Sequence, residues 1–524
     1  LDYHNVVVLD WHINFEAEIV IKMKNLQGKN VLILGLGVSG LAMARWCVRL
    51  GANVTVIDSR ANPPNSEVVK NELSTVRILN GDFSPKLLTE GSIDILLVSP
   101  GIRPKDFAEI FKVARSTDVT VSGELCLFSQ ALASLKESNS YSPQVLAITG
   151  TNGKTTVTSL TGKLIDRAGK SVVVAGNIGP SMLDELIMCL DREKLPDVWV
   201  LELSSFQLSD VDCFEPTAGV ILNITPDHLD WHEDIEAYAR AKMNVFGKNT
   251  KILLNRNDEH VMRLAHSKEW FKKNSIPYMT FGTNAPSRIG DYGLESVDNV
   301  TWLVKCMSAD DTGFKNKKNA KEAEVFLQRL VPTDALQIRG EHNAANGLAA
   351  LALAETAGCA LAPMLFAIRE YRGEPHRVES IGHVNGVEYI DDSKGTNVGA
   401  TVAALKGLGK GKNIILILGG DAKGQSFTAL LDPVIKHVRV LIVFGKDKPL
   451  IQEFLSPTGI PIILASDMAS VVTAADEHAQ EGNLVLLSPA CASLDMYKNY
   501  EHRSQVFIEQ VKRLAEHTSN KEVL

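Results

Sequence analysis

The chain has 524 residues, 45% of them apolar and 22% charged, with a formal net charge of −8. That length exceeds what one hydrophobic core organises and predicts three domains, at about 100–200 residues each. The composition is that of a soluble globular protein, the negative balance argues against general affinity for nucleic acid, and no apolar run approaches a membrane span.

Residues 1–22 lack the basic start of a secretory signal and carry acids at Asp2, Asp10, Glu16 and Glu18. They are expected to be a non-native or upstream extension, with the native start at Met23. Residues 31–35 read as a strand, 41–50 as a helix and 54–58 as a second strand. The αβ alternation continues through 93–99, which predicts a parallel sheet with helices on both faces. The polar, turn-rich stretch 137–143 marks a boundary, so 23–142 is expected to be the first domain.

A second αβ series, 143–373, has strands expected at 145–148, 198–203, 218–223 and 252–255. A polar, lysine-rich surface excursion covers 308–324, and an alanine- and leucine-rich helix covers 343–357. The pattern breaks at 371–376. The third series, 374–524, places apolar strands at 414–418, 440–444 and 484–487. The fold class expected is therefore α/β, with three mostly parallel sheets and flanking helices: Rossmann-like, P-loop ATPase-like, then Rossmann-like.

Between the strand at 145–148 and the next helical pattern stands I-T-G-T-N-G-K-T-T, with Gly150, Thr151, Asn152, Gly153, Lys154, Thr155 and Thr156. A glycine-rich turn at a helix start aims backbone N–H groups at one spot on the positive end of the helix dipole. Lys154 adds charge there and the Thr155 hydroxyl can ligate a metal, which makes a cradle for the phosphates of ATP. The commoner spacing has a glycine where Ile148 stands.

An earlier loop, Gly35-Leu-Gly37-Val-Ser-Gly40, is a dinucleotide fingerprint with Asp58 ending the next strand. It is compatible with a nicotinamide oxidoreductase, with a UDP-sugar site, or with close helix packing alone. A dehydrogenase has no need of the second loop, whereas a ligase using ATP and a nucleotide-linked substrate needs both. Glu202, at the end of a strand, is placed for Mg²⁺. His228 and His232 have helical spacing but lack the glutamate of a zinc protease motif. Loops at 391–397, 419–424 and 488–494 all follow expected parallel strands, where open sheets bind ligands. The seven cysteines (47, 126, 189, 213, 306, 359, 491) show no C-x-x-C pair. They are expected to stay unpaired in a reducing cytoplasm.

These residues resemble the Mur ligases from about Asn25 to the C-terminus. The resemblance rests on G-T-N-G-K-T-T, Gly176-Asn177-Ile178-Gly179, E-L-S-S-F-Q-L, N-I-T-P-D-H-L-D, G-E-P-H-R, D-D-S-K-G-T-N, L-G-G-D-A-K-G and L-S-P-A-C-A-S-L-D. The first motif is shared with folylpolyglutamate synthases. The last three resemble the branch that adds D-glutamate to UDP-N-acetylmuramoyl-L-alanine in peptidoglycan precursor synthesis. The D-N-P-R of diaminopimelate-adding relatives is absent.

The resemblance implies an acyl phosphate mechanism with ATP and two Mg²⁺ ions, in a cytoplasmic monomer. It gives the phosphates to Lys154 and its loop, and the metals to Thr155, Glu202, His228 and Lys242, the last as a carbamate. Read without the family, Lys242 is a solvated helix lysine. Asn343, Arg377 and Asp392 are implied at the adenosine, with Asn346 less directly. Gly37, Val38, Ser39, Asp58, Ser59, Arg60 and Gly101 are implied at the UDP, and Asn177, Ser204 and Gln207 along the rest of that substrate. Lys394, Thr396, Lys423, Ser493, Leu494 and Tyr500 are implied at D-glutamate. Tyr500 stands where relatives often have Phe, and Ala422 where Gly is common. A ligase for another amino acid and a nicotinamide oxidoreductase remain the alternatives.

Overall fold

β1 (Asn30–Leu34), β2 (Asn53–Asp58), β3 (Arg77–Asn80), β4 (Ile95–Val98) and β5 (Thr120–Ser122) form a first sheet in the order β3-β2-β1-β4-β5. Every pairing in it is parallel. The computed structural model describes residues 26–209, 211–267, 278–309 and 325–519. The proposed start at Met23 and most of the excursion at 308–324 lie outside the described residues. The first helix, Val38–Arg49, begins three residues earlier than its apolar pattern, because extended Gly37 serves as its N-cap. Its Gly40 packs so tightly that a Cβ there would lie 2.0 Å from the Gly35 carbonyl oxygen.

The second sheet is also parallel, in the order β11-β10-β9-β6-β8-β7. Its strands are β6 (Gln144–Thr149), β7 (Val172–Gly176), β8 (Val198–Glu202), β9 (Ala218–Ile221), β10 (Lys251–Asn255) and β11 (Tyr278–Phe281). The helix Glu341–Thr356 packs on the helix Lys154–Arg167 and buries residues from Leu348 to Ala354 without interruption. A helix apolar all round belongs in the interior. An antiparallel sheet of β12 (Tyr292–Val297), β13 (Val300–Ser308) and β14 (Val325–Pro332) was not anticipated. The polar residues between β13 and β14 hid the strand pair in the sequence.

The third sheet runs β15-β16-β20-β17-β18-β19. It comprises β15 (Glu379–Val384), β16 (Val387–Asp391), β17 (Ile414–Gly419), β18 (Val438–Phe444), β19 (Ile462–Leu464) and β20 (Leu484–Leu487). Only β15, at the edge, is antiparallel. Strand order reverses at β1, at β6 and at β20. Those switch points put the Gly35–Gly40 loop, the Gly150–Gly153 loop and the three loops of the last sheet at carboxyl ends, where a crevice opens.

One expectation fails. The structure joins Cys126, in the helix Glu124–Asn139, to Cys213, before β9, while Cys47, Cys189, Cys306, Cys359 and Cys491 are free. The two are 87 residues apart and belong to different sheet units, so no local spacing announces them. No helix among the described residues is long and apolar enough to cross a membrane.

Candidate active site

β6 ends in Thr149, and the chain turns through Gly150 at φ +154° and Gly153 at φ +83° into the helix Lys154–Arg167. A Cβ on Gly150 would lie 2.9 Å from Leu222 Cβ, and one on Gly153 would lie 2.7 Å from Asn346 Oδ1. The Asn223 side chain clasps the loop, accepting from Asn152 N–H at 2.8 Å and donating to Asn152 O at 3.0 Å. Sequence reasoning missed this clasp, although Asn223 opens the N-I-T-P-D-H motif. Lys154 Nζ folds back to the carbonyls of Gly150 and Thr151, 2.9 Å from each. Burial lowers the pKa of this ammonium, chiefly opposed by Glu202.

Glu202 is 2% exposed at the end of β8. Its Oε1 accepts from Asn177 Nδ2 at 2.8 Å, while its Oε2 is buried with no hydrogen-bond donor among the described residues. A buried carboxylate oxygen without a donor, in one cavity with the Thr155 hydroxyl, suits a hard divalent cation. Lys242 is 1% exposed, not solvated; it sits below the loop, its Nζ donating to Gly150 O at 2.9 Å and lying 4.4 Å from the Tyr238 ring centre. Burial, and then the charge of Lys154, hold its pKa well below the lysine range. His228 starts the short helix Leu229–His232 at φ +54° and lines the cavity. His232 is buried and bonded to Ser205 Oγ at 2.8 Å, so the two histidines do not make a zinc pair.

The third sheet closes over this loop. Arg377 Nη2 donates to Thr155 Oγ1 at 2.5 Å, and the Asn152 and Asn397 side chains bond reciprocally at 3.3 and 3.1 Å. His376 braces Arg377 from behind: its Nδ1 lies 2.8 Å from buried Asp391 and 2.7 Å from Ser504 Oγ. Asp391 and Asn397 bound the D-D-S-K-G-T-N motif without a role of their own in the sequence, and Ser504 was not singled out there, because its contact forms only on folding. The result is a cavity of 660 Å³ lined by the phosphate loop, Asn177, Glu202, His228, Arg377, Lys394, Thr396 and Tyr500. A second cavity of 400 Å³ continues past Gly153, with Asn343, Asn346 and Asp392 in its wall. Asn346 thus stands both in this wall and against Gly153 of the loop. Burial raises Asp392 to about 7 despite its bond from Ser488.

Lys394 Nζ lies 3.6 Å from the Tyr500 ring centre, and burial plus Arg377 bring its pKa down to about 8. Lys423, Ser493 and Leu494 do not line the 660 Å³ cavity. Their loops run side by side, joined by reciprocal backbone bonds of 2.9 Å between Asp421 and Ala492.

On the first sheet, Asp58 accepts from Leu36 N–H at 2.7 Å and from Arg60 Nε at 2.8 Å and Nη2 at 2.7 Å. Burial opposes its charge, but the Arg60 and backbone bonds hold it down to about 2. With Arg60 on both its oxygens, Asp58 is a poor partner for the adenosine ribose of a nicotinamide dinucleotide. Gly37, Val38, Ser39 and Ser59 cluster at the carboxyl ends of β1 and β2. A cavity of 360 Å³ lies between the first two units, lined by Ser99, Pro100, Ile102 and Gln207, although Gly101 does not line it. Ser204 and Gln207 form a capping box for the helix Ser205–Leu208, which explains the E-L-S-S-F-Q spacing.

Three family profiles match in chain order: "Mur ligase MurD-like, N-terminal domain" over 29–123, "Mur ligase middle domain" over 148–354 and "Mur ligase, glutamate ligase domain" over 376–491. The chain belongs to the Mur ligase family. This Mur ligase is 53% identical to the UDP-N-acetylmuramoylalanine--D-glutamate ligase of Albidiferax ferrireducens, over 94% of this chain and 98% of the relative. It is 50% identical to the enzyme of the same name from Paraburkholderia phymatum, over 94% and 98%. Its fold is that of the MurF ligase of Thermotoga maritima solved with ADP (TM-score 0.54, 16% identity, 94% and 97% covered). The MurC ligase of the same organism is comparable (TM-score 0.52, 19% identity, 92% and 99% covered).

Proposed function

We propose that this Mur ligase uses ATP to join D-glutamate to UDP-N-acetylmuramoyl-L-alanine, in peptidoglycan precursor synthesis in the cytoplasm. The observation that carries the reading is the 53% identity to a D-glutamate ligase along nearly the whole chain, third unit included. The ATP phosphates lie on the Gly150–Gly153 amides and Lys154, with adenosine in the 400 Å³ cavity against Asn343, Arg377 and Asp392. Thr155, Glu202, His228 and the carbamate of Lys242 would hold two Mg²⁺ ions, which when bound neutralise charge on the transferring phosphoryl group. The neutral amine that burial favours at Lys242 is the form that takes up CO₂.

The first unit binds the UDP through Gly37, Val38, Ser39, Asp58, Ser59, Arg60 and Gly101, while Asn177, Ser204 and Gln207 direct the rest of that substrate toward the cavity. Its alanyl carboxylate oxygen bonds to the γ-phosphorus as the bond to ADP breaks. Lys394, Thr396 and Tyr500 position D-glutamate, with Lys423, Ser493 and Leu494 completing its pocket. Its amine attacks the acyl carbon, and phosphate leaves, taking up the amine proton. Closure of the third unit excludes water, which would otherwise hydrolyse the acyl phosphate. Phosphate release in the presence of ATP tests the reading: it should require both UDP-N-acetylmuramoyl-L-alanine and D-glutamate. Equal release with L-glutamate, or with neither substrate, would overturn it.

A further inference from the structure

We propose that Cys126 and Cys213 form a reversible thiol–disulfide modification site that tethers the first sheet unit to the second beside the 360 Å³ cavity, with a low-molecular-weight disulfide as oxidant. The five other cysteines are buried, whereas these two are only partly so. Burial alone pushes the Cys47 thiol up to about 12, and Cys491 is likewise raised to about 12, which leaves both inert. The α-carbons of Cys126 and Cys213 stand 5.8 Å apart, within the span of a bridge. Cys126 itself lines the cavity, and so do Ser209, Val211 and Asp212, which lead into Cys213.

The seam around this pair already holds by weaker bonds. Glu124, two residues before Cys126, accepts from Met182 N–H of the second unit at 3.0 Å. Trp231 Nε1 donates to Ile102 O of the first unit at 3.2 Å. The two units also share a buried apolar core here, with the Phe128 and Trp199 ring centres 5.0 Å apart, so a covalent link reinforces a seam that is already packed. One protein thiolate attacks the small disulfide and releases one small thiol. The second then attacks the mixed disulfide and releases the other. Two protein thiols and one small disulfide become one protein disulfide and two small thiols. Bridges of this kind in reducing compartments are transient and redox-sensing.

The full-length protein, equilibrated across glutathione ratios, should lose two titratable thiols and about 2 Da of intact mass in the oxidised buffers. A non-reducing digest should join the two cysteine peptides. Hydrogen exchange in 123–128 and 209–216 should slow on oxidation. The kinetic consequence rests on the proposed substrate: the KM for UDP-N-acetylmuramoyl-L-alanine should fall about two- to fivefold on oxidation, by preorganisation, with that for ATP unmoved. Cys126→Ser and Cys213→Ser should each abolish the redox difference. Unchanged mass at every ratio, or a link that forms without changing exchange, overturns the proposal whatever the substrate. A link that slows exchange but leaves KM unmoved overturns the coupling of the bridge to substrate binding.

Discussion

Lys242 depends on its surroundings more than any other residue of the site. Its hydrogen-bond acceptors among the described residues, the Gly150 carbonyl at 2.9 Å and the Thr149 hydroxyl at 3.5 Å, are neutral, and the largest charge effect on it is that of Lys154, opposed by Asp227 and Glu202. A carbamate converts the neutral amine favoured there into an anion. Lys242→Ala is expected to lose activity by a factor on the order of 10³, as for other removals of transition-state charge stabilisation. Short-chain carboxylates added to this variant should return part of the rate. A steady-state assay with and without formate and acetate checks this, and no recovery with either would count against the carbamate. Lys394 makes a different prediction. Its pKa is brought down to about 8, so in the free enzyme it is charged below that pH and loses charge above it. The kcat/KM for D-glutamate should therefore fall above about pH 8, up to about tenfold per unit. In Lys394→Arg, whose guanidinium stays charged, that falling limb should vanish even if the overall rate is lower. A pH profile unaltered by the substitution would show that another group governs it.

The phosphate loop shows how much of an element can be read from sequence and where that reading stops. Strand, glycines, lysine and helix were all legible, because the conformations they demand are local: positive φ at Gly150 and Gly153, then amides at a helix start. What encloses the loop was less legible. Asn346 presses on Gly153 and Asn223 clasps Asn152, yet each lies at least 70 residues away and reads alone as an ordinary asparagine. The strand pair β13 and β14, and the Cys126–Cys213 link, escaped for the same reason: pairing partners are chosen by the fold. Likewise Ser204 and Gln207 matched a substrate-binding pattern, and the structure shows the capping they also perform. Gly153→Ala places a Cβ at φ +83° and 2.7 Å from Asn346 Oδ1. It is expected to cost about 1–3 kcal/mol of stability. Thermal unfolding should also show that ADP no longer raises the midpoint, because the amides are misaligned. A variant stabilised by ADP as fully as the parent would contradict this account of the loop.

At the scale of the molecule, the proposed function divides the reactants: ATP on the second sheet unit, D-glutamate on the third, the nucleotide-sugar on the first. The chain between the second and third units is short and conformationally specialised. Gly373 has φ +93°, while His376 and Val378, on either side of Arg377, have φ +63° and +52°. His376 is pinned to Asp391 and Ser504 in the third unit, so bending is left to the residues before it, at 373–375. Across the cleft, the direct polar bonds to the loop are few: Arg377 to Thr155, and Asn397 to Asn152. Asn397 Nδ2 also donates to Asp227 Oδ2 at 3.4 Å, and the Arg339–Glu388 pair at 2.9 Å adds a further tie, with the Arg339 side chain 55% exposed. Bonds of this kind each contribute little net, about 0.5–1.5 kcal/mol. The third unit should therefore swing as a body about 373–375 and close when ligands add their own contacts. Asn397 also caps the helix Val398–Leu408 through Ala400 N–H, so Asn397→Asp keeps the cap but removes the amide that donates to Asn152. Solution scattering of the parent protein should contract when the UDP substrate and a non-hydrolysable ATP analogue are added together. The Asn397→Asp variant should start more extended and contract over a wider range. Superimposable profiles for both proteins, with and without ligands, would mean that the closed arrangement is the resting one and that substrates enter by another route.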